Sequence, residues 1–431
     1  MKPIITDHKN MLPGEDDITR FQLSNGIVVL TRANFESPSV SLSGYLKSGS
    51  LFDSEEKLGL AHFTAQGLMR GSNGHSFHEI YDALESVGAT LGFGASVHNT
   101  SFGGRALAED LPLLFNILSE CLRQPTFPKD QVDRLKAQIL TGLAIRNQDT
   151  AEMASLTFDE MVFAGHPYGR PEEGYPHTIQ KISRKDLDNF HGKHFGPSGM
   201  VIVVVGGISP EAIREQVENA FGDWQNPGQV DAPSLSPIKP LAKAVRRHIE
   251  ISGKSQTDLV MGTLGPKRKT KDYMPAMLGN SILGQFGMMG RIGDVVREQA
   301  GLAYHASTSL SAWIEAGSWE VSAGVNPGNL QKAIDLIMSE LKRFISEPVS
   351  GAELQDSKDN FIGRLPLSME SNSGVASALL NLERFQLGLN YYRNYADMVK
   401  RITPEDILET ADKFIQLDTL AIISSGTTLK D

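Results

Sequence analysis

The sequence predicts an α+β protein built from two similar domains, each a mainly antiparallel sheet flanked by helices. Three observations carry that reading. The chain repeats itself: in "KISRKDLDNFHGKHFGPSGMVIVVVGG" and "RITPEDILETADKFIQLDTLAIISSGT", Ile182, Leu187, Ile202 and Gly206 stand opposite Ile402, Ile407, Ile422 and Gly426, each 220 positions later. A second pair of blocks, "LPLLFNILSECLRQPTFPKDQVDRLK" and "LQKAIDLIMSELKRFISEPVSGAELQDSK", follows in the same order, with Leu118 opposite Leu341 and Pro125 opposite Pro348. Both pairs read as amphipathic helix, proline-marked turn and second helix. Finally, short alternating strands recur in both halves, as expected of sheets covered on one face.

Taken in order, the first half offers the strands "GIVVLTR", "SVSLSGYLKSG", "ATLGFGASV", "NTSFGGRAL" and "MVIVVVGG", with helices between the second and third and between the fourth and fifth. In "VVVGGISPEAI" the glycines hint at a phosphate loop, but Ser209 as N-cap and Pro210 in the first turn account for the segment as a helix start. Between the halves, "NPGQVDAPSLSPIKPLAK" concentrates proline and small polar residues and predicts a linker over 224–243. The expected domains are therefore 1–223 and 244–431. The second half supplies "RRHIEISG", "TDLVMGTLG", "AYHASTSLSA", "SWEVSAGV" and "TLAIISSG" as strands, and "GRIGDVVREQA" as a helix that Gly301 ends in the left-handed region.

Composition narrows the function. A chain of 431 residues exceeds one ordinary core, and 40% hydrophobic with 21% charged residues fits a globular protein. With 51 acidic against 41 basic residues and no basic run, neither nucleic acid nor an anionic membrane is the expected partner. The longest apolar run, "GMVIVVVGG", is far short of the roughly 20 residues that span a bilayer. Cys121 is the single cysteine, which forbids an internal disulfide, and "ILSECLR" places it as a buried small side chain. The opening "MKPIITDHKNMLPGEDD" has the pattern of neither a signal nor a transit peptide, so the expected compartment is the cytoplasm, or the periplasm if a leader has been removed.

One stretch raises a chemical question. "KLGLAHFTAQGLMRG" carries His62 on a helix-like segment, yet the residues three and four positions on, which share its face, are Ala65 and Gln66. Neither ligates zinc well or serves as a base. The pairs His75/His78 and His191/His194 have helical spacing too, but no evident third ligand or base accompanies either, and satisfied structural histidines are the expectation for all of them.

The blocks "GLAHFTAQGLMRGS", "AGHPYGRPEEG", "PSGMVIVVVGG" and "MGRIGDVVREQAGLAYHAS", in this order and across both halves, resemble the pitrilysin and insulinase superfamily of zinc peptidases, in its small bacterial and mitochondrial-processing-peptidase-like branch. Active members bear His-x-x-Glu-His on a helix plus a distant glutamate. By that resemblance the first histidine is His62, the catalytic glutamate is replaced by Ala65, the second histidine by Gln66, and the distant glutamate falls around Thr141 and Gly142, where no acid stands. The resemblance implies that this chain holds no metal.

It also implies a role for "VREQAGLAY": Arg297 and Tyr304 match an arginine and tyrosine that grip the substrate carbonyl and the oxyanion at a zinc site. "LGNSILGQFGMMGR" resembles the flexible glycine-rich loop of non-catalytic processing-peptidase subunits, with Gly284, Gly287 and Gly290 as candidate loop positions after Gly279. The expectation is a non-zinc, substrate-binding subunit, inactive alone, that completes in trans the site of a homologous zinc-bearing partner acting on peptides or small unfolded proteins. A homodimer is the alternative assembly when that partner is missing, and a catalytically inert structural or peptide-holding homologue is the alternative function.

Overall fold

The computed structural model describes residues 12–287 and 289–428; the opening segment discussed above lies outside it as far as residue 11, as does Met288. In chain order the elements begin with β1 (Thr19–Gln22), β2 (Val28–Ala33), β3 (Ser39–Leu46), α1 (Leu60–Gly67), α2 (Phe77–Ser86), β4 (Thr90–Ala95), β5 (Thr100–Leu107), α3 (Leu111–Arg123) and α4 (Lys129–Arg146). There follow α5 (Thr150–Val162), α6 (Pro176–Lys181), α7 (Arg184–His194), β6 (Val201–Gly206) and α8 (Pro210–Phe221). The second half runs β7 (Val245–Glu250), β8 (Thr257–Gly265), α9 (Tyr273–Gly284), α10 (Gly290–Gly293), a π-helical turn Asp294–Gln299, β9 (Ala303–Ala312) and β10 (Gly317–Val325). It ends with α11 (Leu330–Phe344), α12 (Gly351–Ser368), α13 (Asn372–Arg384), α14 (Tyr391–Arg401), α15 (Pro404–Phe414) and β11 (Ala421–Gly426).

The strands form two sheets of matching order. The first is β1-β2-β6-β3-β5-β4, the second β7-β11-β8-β10-β9. In each, the last strand in sequence sits inside the sheet, parallel to one neighbour and antiparallel to the other. This is why "VIVVVG" has no polar alternation: all six residues of β6 are buried between sheet neighbours and both faces. All ten strands read from the sequence are present. The eleventh, β1, is a four-residue partner of β2 closed by a turn in which Gly26 takes φ +96°, a value that favours glycine.

Compact units cross the contiguous boundaries expected from the linker. One comprises residues through 143, 171–234 and 365–394; the other comprises 144–170, 235–364 and 395 onward. The division between Ser234 and Leu235 does fall in the irregular stretch near 224–243. The exchange arises because α5, written in the first half, packs on β8 and β11 of the second sheet, while α13, written in the second half, packs on β3 and β6 of the first. Apolar burial drives it: Val375, Ala376, Leu379 and Leu382 of α13 close a core with Leu30, Tyr45, Val201, Val203 and Val205. Arg20 adds a bidentate pair to Glu383, at 2.9 Å on both contacts.

The opposite face of the first sheet carries the larger core. There α3 buries Leu111, Leu114, Phe115, Ile117, Leu118, Cys121 and Leu122, each large side chain worth about 1.5–3 kcal/mol against exposure. Burial pushes the Cys121 thiol up to about 12, so it stays protonated and inert. Among the described residues no helix is long and apolar enough to cross a membrane.

Candidate functional site

Helix α1 is held with care. Its N-cap, Gly59, has φ +94° and no side chain to cap with, so Asp53 caps from six residues upstream, accepting the N–H groups of Gly59 and Ala61, both at 2.9 Å. The loop 172–174 closes against this end: a Cβ on Gly59 would lie 2.7 Å from the Glu173 carbonyl oxygen, and one on Gly174 2.1 Å from that of Leu58. His62 is part-buried; burial holds its pKa below the ordinary imidazole value, partly offset by the nearby Glu173 charge. Ala65 is 1% exposed, whereas Gln66 faces solvent. On α4 the Thr141 hydroxyl donates back to the Ala137 carbonyl at 2.9 Å, and Gly142 borders open space.

A zinc ion needs imidazole, thiolate or carboxylate donors converging from about four directions. The four positions here offer one imidazole, a methyl, a neutral amide and a hydroxyl or hydrogen. They do not fit the metal, and Ala65 leaves no general base. Among the described residues no group of three or more His, Cys, Asp or Glu side chains gathers to hold a metal.

The second-half segment is irregular where the sequence predicts a plain helix. After the single turn α10 the chain loosens into the π-helical turn that carries Arg297. Gly301 then takes φ +63°, its N–H donating to the Arg297 carbonyl and that of Leu302 to Val296, both at 3.0 Å. Tyr304 follows at once in β9, an edge strand. Opposite it, Gly324 pairs with His305 and Val325 with Ala303, so Tyr304 is the extra residue of a β-bulge. A bulge re-aims its side chain, and Tyr304 is 86% exposed. Arg297 lies 3.4 Å from its neighbour Glu298, both side chains a third or more open to solvent. Such a pair is worth at most about 1 kcal/mol and leaves the guanidinium available.

Two family descriptions match this chain: "Insulinase (Peptidase family M16)" over residues 28–173 and "Peptidase M16 inactive domain" over residues 181–361. The chain belongs to the pitrilysin and insulinase superfamily, peptidase family M16. A Streptomyces coelicolor protein named as an uncharacterized zinc protease is 24% identical over 410 residues, spanning 92% of this chain and 87% of that one. The mitochondrial-processing peptidase subunit beta of Saccharomyces cerevisiae is 24% identical over 413 residues, spanning 93% and 86%. Among solved structures, the crystal structure of a peptidase M16 inactive domain from Pseudomonas fluorescens superposes with a TM-score of 0.88 at 26% identity, over 96% of this chain and 99% of that one. A protease from Helicobacter pylori reaches the same TM-score at 18% identity, over 96% and 100%, a likeness of fold.

The remaining candidates in this M16 chain have structural explanations. His75 bonds Glu120 through Nδ1 at 2.8 Å, beside the Ser72 hydroxyl, which donates to the same carboxylate. His78 meets the Phe77 ring edge-on. His191 meets the Leu122 carbonyl at 2.8 Å through Nε2. His194 packs between Phe52 and Phe190, ring centroids 4.2 and 4.6 Å away, and burial lowers its pKa to about 4.

The glycines before Arg297 divide. Gly279 is packed against Ile407, Phe344 and Trp319 inside α9; Gly284 abuts Thr308, where a Cβ would come within 2.5 Å of backbone; a Cβ on Gly290 would come within 2.6 Å of the Gly284 nitrogen. Close approach of α9 to β9 explains glycine at 284, and Gly290 combines close approach to α9 with φ +64°, a value that favours glycine. Gly287 alone has φ +65° with open space around it. One group escaped the sequence reading altogether: Glu172, whose burial raises its pKa while its carboxylate accepts the Val97 N–H at 2.9 Å. Glu172 and Val97 are 75 positions apart in sequence, so no local spacing announces the contact.

Proposed function

We propose that this M16 chain is the non-zinc, substrate-binding subunit of a heterodimeric zinc endopeptidase that acts on peptides or small unfolded proteins. The observation that carries this reading is the contrast within the chain: Ala65 and Gln66 deny α1 both a base and a second ligand, while Tyr304 stands 86% exposed on a bulge seven residues after Arg297. A homologous chain bearing His-x-x-Glu-His supplies the zinc. The Tyr304 hydroxyl and the Arg297 guanidinium donate hydrogen bonds to the substrate carbonyl and then to the oxyanion as it forms. Backbone donors and acceptors of an edge strand such as β4, which packs beside α1, or β9 bind an extended peptide with broad specificity. The relation to a processing-peptidase subunit supports assembly with a similar chain, related to this one by approximate twofold symmetry.

The test is reconstitution. Alone, the purified chain is expected to hold no stoichiometric zinc and to cleave no peptide; mixed with a His-x-x-Glu-His chain recovered with it from its native cells, it is expected to hydrolyse a quenched fluorescent peptide. Zinc retained by the lone chain together with hydrolysis would overturn the proposal. Silence with every zinc-bearing partner would instead favour the inert, peptide-holding homologue.

A further inference from the structure

The face of the first sheet beside α13 holds an open cavity of about 420 Å³. Its floor is a cross-strand row: Ser41 of β3 pairs with Arg105 of β5, which pairs with Thr90 of β4. Arg105 is exposed, forms no ion pair among the described residues, and is the one charged residue lining the cavity. Ser41 is 6% exposed, lines the same cavity, and its hydroxyl has no hydrogen-bond partner among the described residues. On the wall, α13 begins: Ser371 caps the Gly374 N–H at 3.1 Å, which leaves the N–H groups of Asn372 and Ser373 without intrahelical acceptors. Donors and positive potential converge on one empty volume.

The internal repeat shows what such a place is built to hold. Ser41 lies opposite Val205, the residue before the terminal glycine of β6; Asp258 lies opposite Ser425, the residue before the terminal glycine of β11. Asp258 is therefore the second-sheet counterpart of Ser41, and the facing residue, Arg105 in the first sheet, is Gly324 in the second. There the carboxylate is internal: Asp258, 4% exposed, accepts from the hydroxyl of Thr150, the first residue of α5, at 2.5 Å and from Gln256 at 2.8 Å. In the first sheet the aspartate is missing, a cation stands across from its place, and the helix start faces a void.

We infer that this cavity binds a carboxylate carried by a peptide, seated between Arg105, the Ser41 and Ser43 hydroxyls and the first turn of α13. The glycine floor agrees with such a role. A Cβ on Gly103 would meet no atom nearer than the Leu42 carbonyl oxygen at 3.8 Å, so packing does not demand glycine there and its small size keeps the cavity open. The inference stands without the shared active site, because it concerns binding by this chain alone.

Three pentapeptides, capped at the N-terminus, are titrated calorimetrically into the full chain: one with a central glutamate and an amidated end, its glutamine counterpart, and pentaglycine with a free C-terminal carboxylate. Binding of either carboxylate peptide above the glutamine peptide is expected, and the stronger of the two identifies side chain or chain end as the source. Arg105→Gln should weaken that binding about tenfold, as for loss of one charge-assisted contact. Gly103→Val should abolish it by filling the cavity. Arg105 is exposed, so its variant keeps the test open even if Gly103→Val disturbs the fold. Binding of neither carboxylate peptide above the glutamine peptide, no binding of any, or indifference to Arg105→Gln overturns the inference.

Discussion

Helix α1 and the segment from Gly290 to Tyr304 invert the usual relation between order and chemistry. The first is tightly positioned, with a remote carboxylate cap, two glycines pressed to backbone and a buried Ala65, yet at the motif positions it offers one imidazole and no carboxylate. The second departs from regular structure twice, in a π-helical turn and in a bulge, and those departures place a guanidinium and a phenol in the open. Regularity in α1 supports the sheet it packs on; irregularity at Tyr304 has no packing benefit to explain it. The irregular segment, more than the motif helix, is where the proposed function locates its donors.

This contrast can be broken by exchanging what each region is asked to do. Tyr304→Phe should cut turnover of the reconstituted pair about tenfold to a thousandfold, as expected for loss of one oxyanion donor, while thermal stability stays unchanged, since the side chain is almost free of neighbours. Equal turnover would remove the assigned role. Asp53→Ala should do the reverse. Two buried N–H groups at the start of α1 lose their acceptor, which costs about 2–3 kcal/mol in denaturant titrations, and turnover per folded complex should hold because the proposed function places no reacting group on α1. A variant with full stability would show that the cap is replaceable.

The smallest effect reads the contrast through pH. His194 sits beside the α1 region with its pKa lowered to about 4, so the unfolded chain, at the ordinary imidazole value, takes up the proton first. Stability contributed by the neutral ring is full above about pH 6.5 and is lost as pH falls from there toward 4. His194→Phe should flatten that fall by on the order of 1–2 kcal/mol once solvent screening is allowed for. Glu353, held at about 2 chiefly by its hydrogen bond from Arg291, gives the second unit its own window: that stability is present above the unfolded carboxyl value and lost as pH drops through 4.5 toward 2. A His194→Phe profile that overlays the wild type between pH 6.5 and 4 would remove the first assignment.

Much of the fold was legible because the repeat and the alternation of apolar residues are local signals. Ten strands follow from them, and so does the turn at Gly301. β1 was missed because four residues carry too little alternation, although the Asn25-Gly26 turn beside it is a hairpin signal. The exchange of α5 and α13 was invisible, since helical periodicity says which face is apolar and nothing of which sheet receives it. The π-helical turn depends on hydrogen bonding that residue types do not announce. Asp53, Glu172 and Asp258 act across loops or between strands, where sequence spacing carries no trace of the contact. In the site itself, residue identities were read directly from a family likeness, whereas the bulge that turns Tyr304 outward required the strand register.

The exchanged helices also set a timetable for synthesis. Val201, Val203 and Val205 emerge from the ribosome with the first sheet, but their apolar cover, α13, is not translated until residue 384 of 431. The amino-terminal sheet must therefore wait, half clothed, through most of the remaining chain, and a chaperone that shields exposed valine surface would find its longest engagement in that interval.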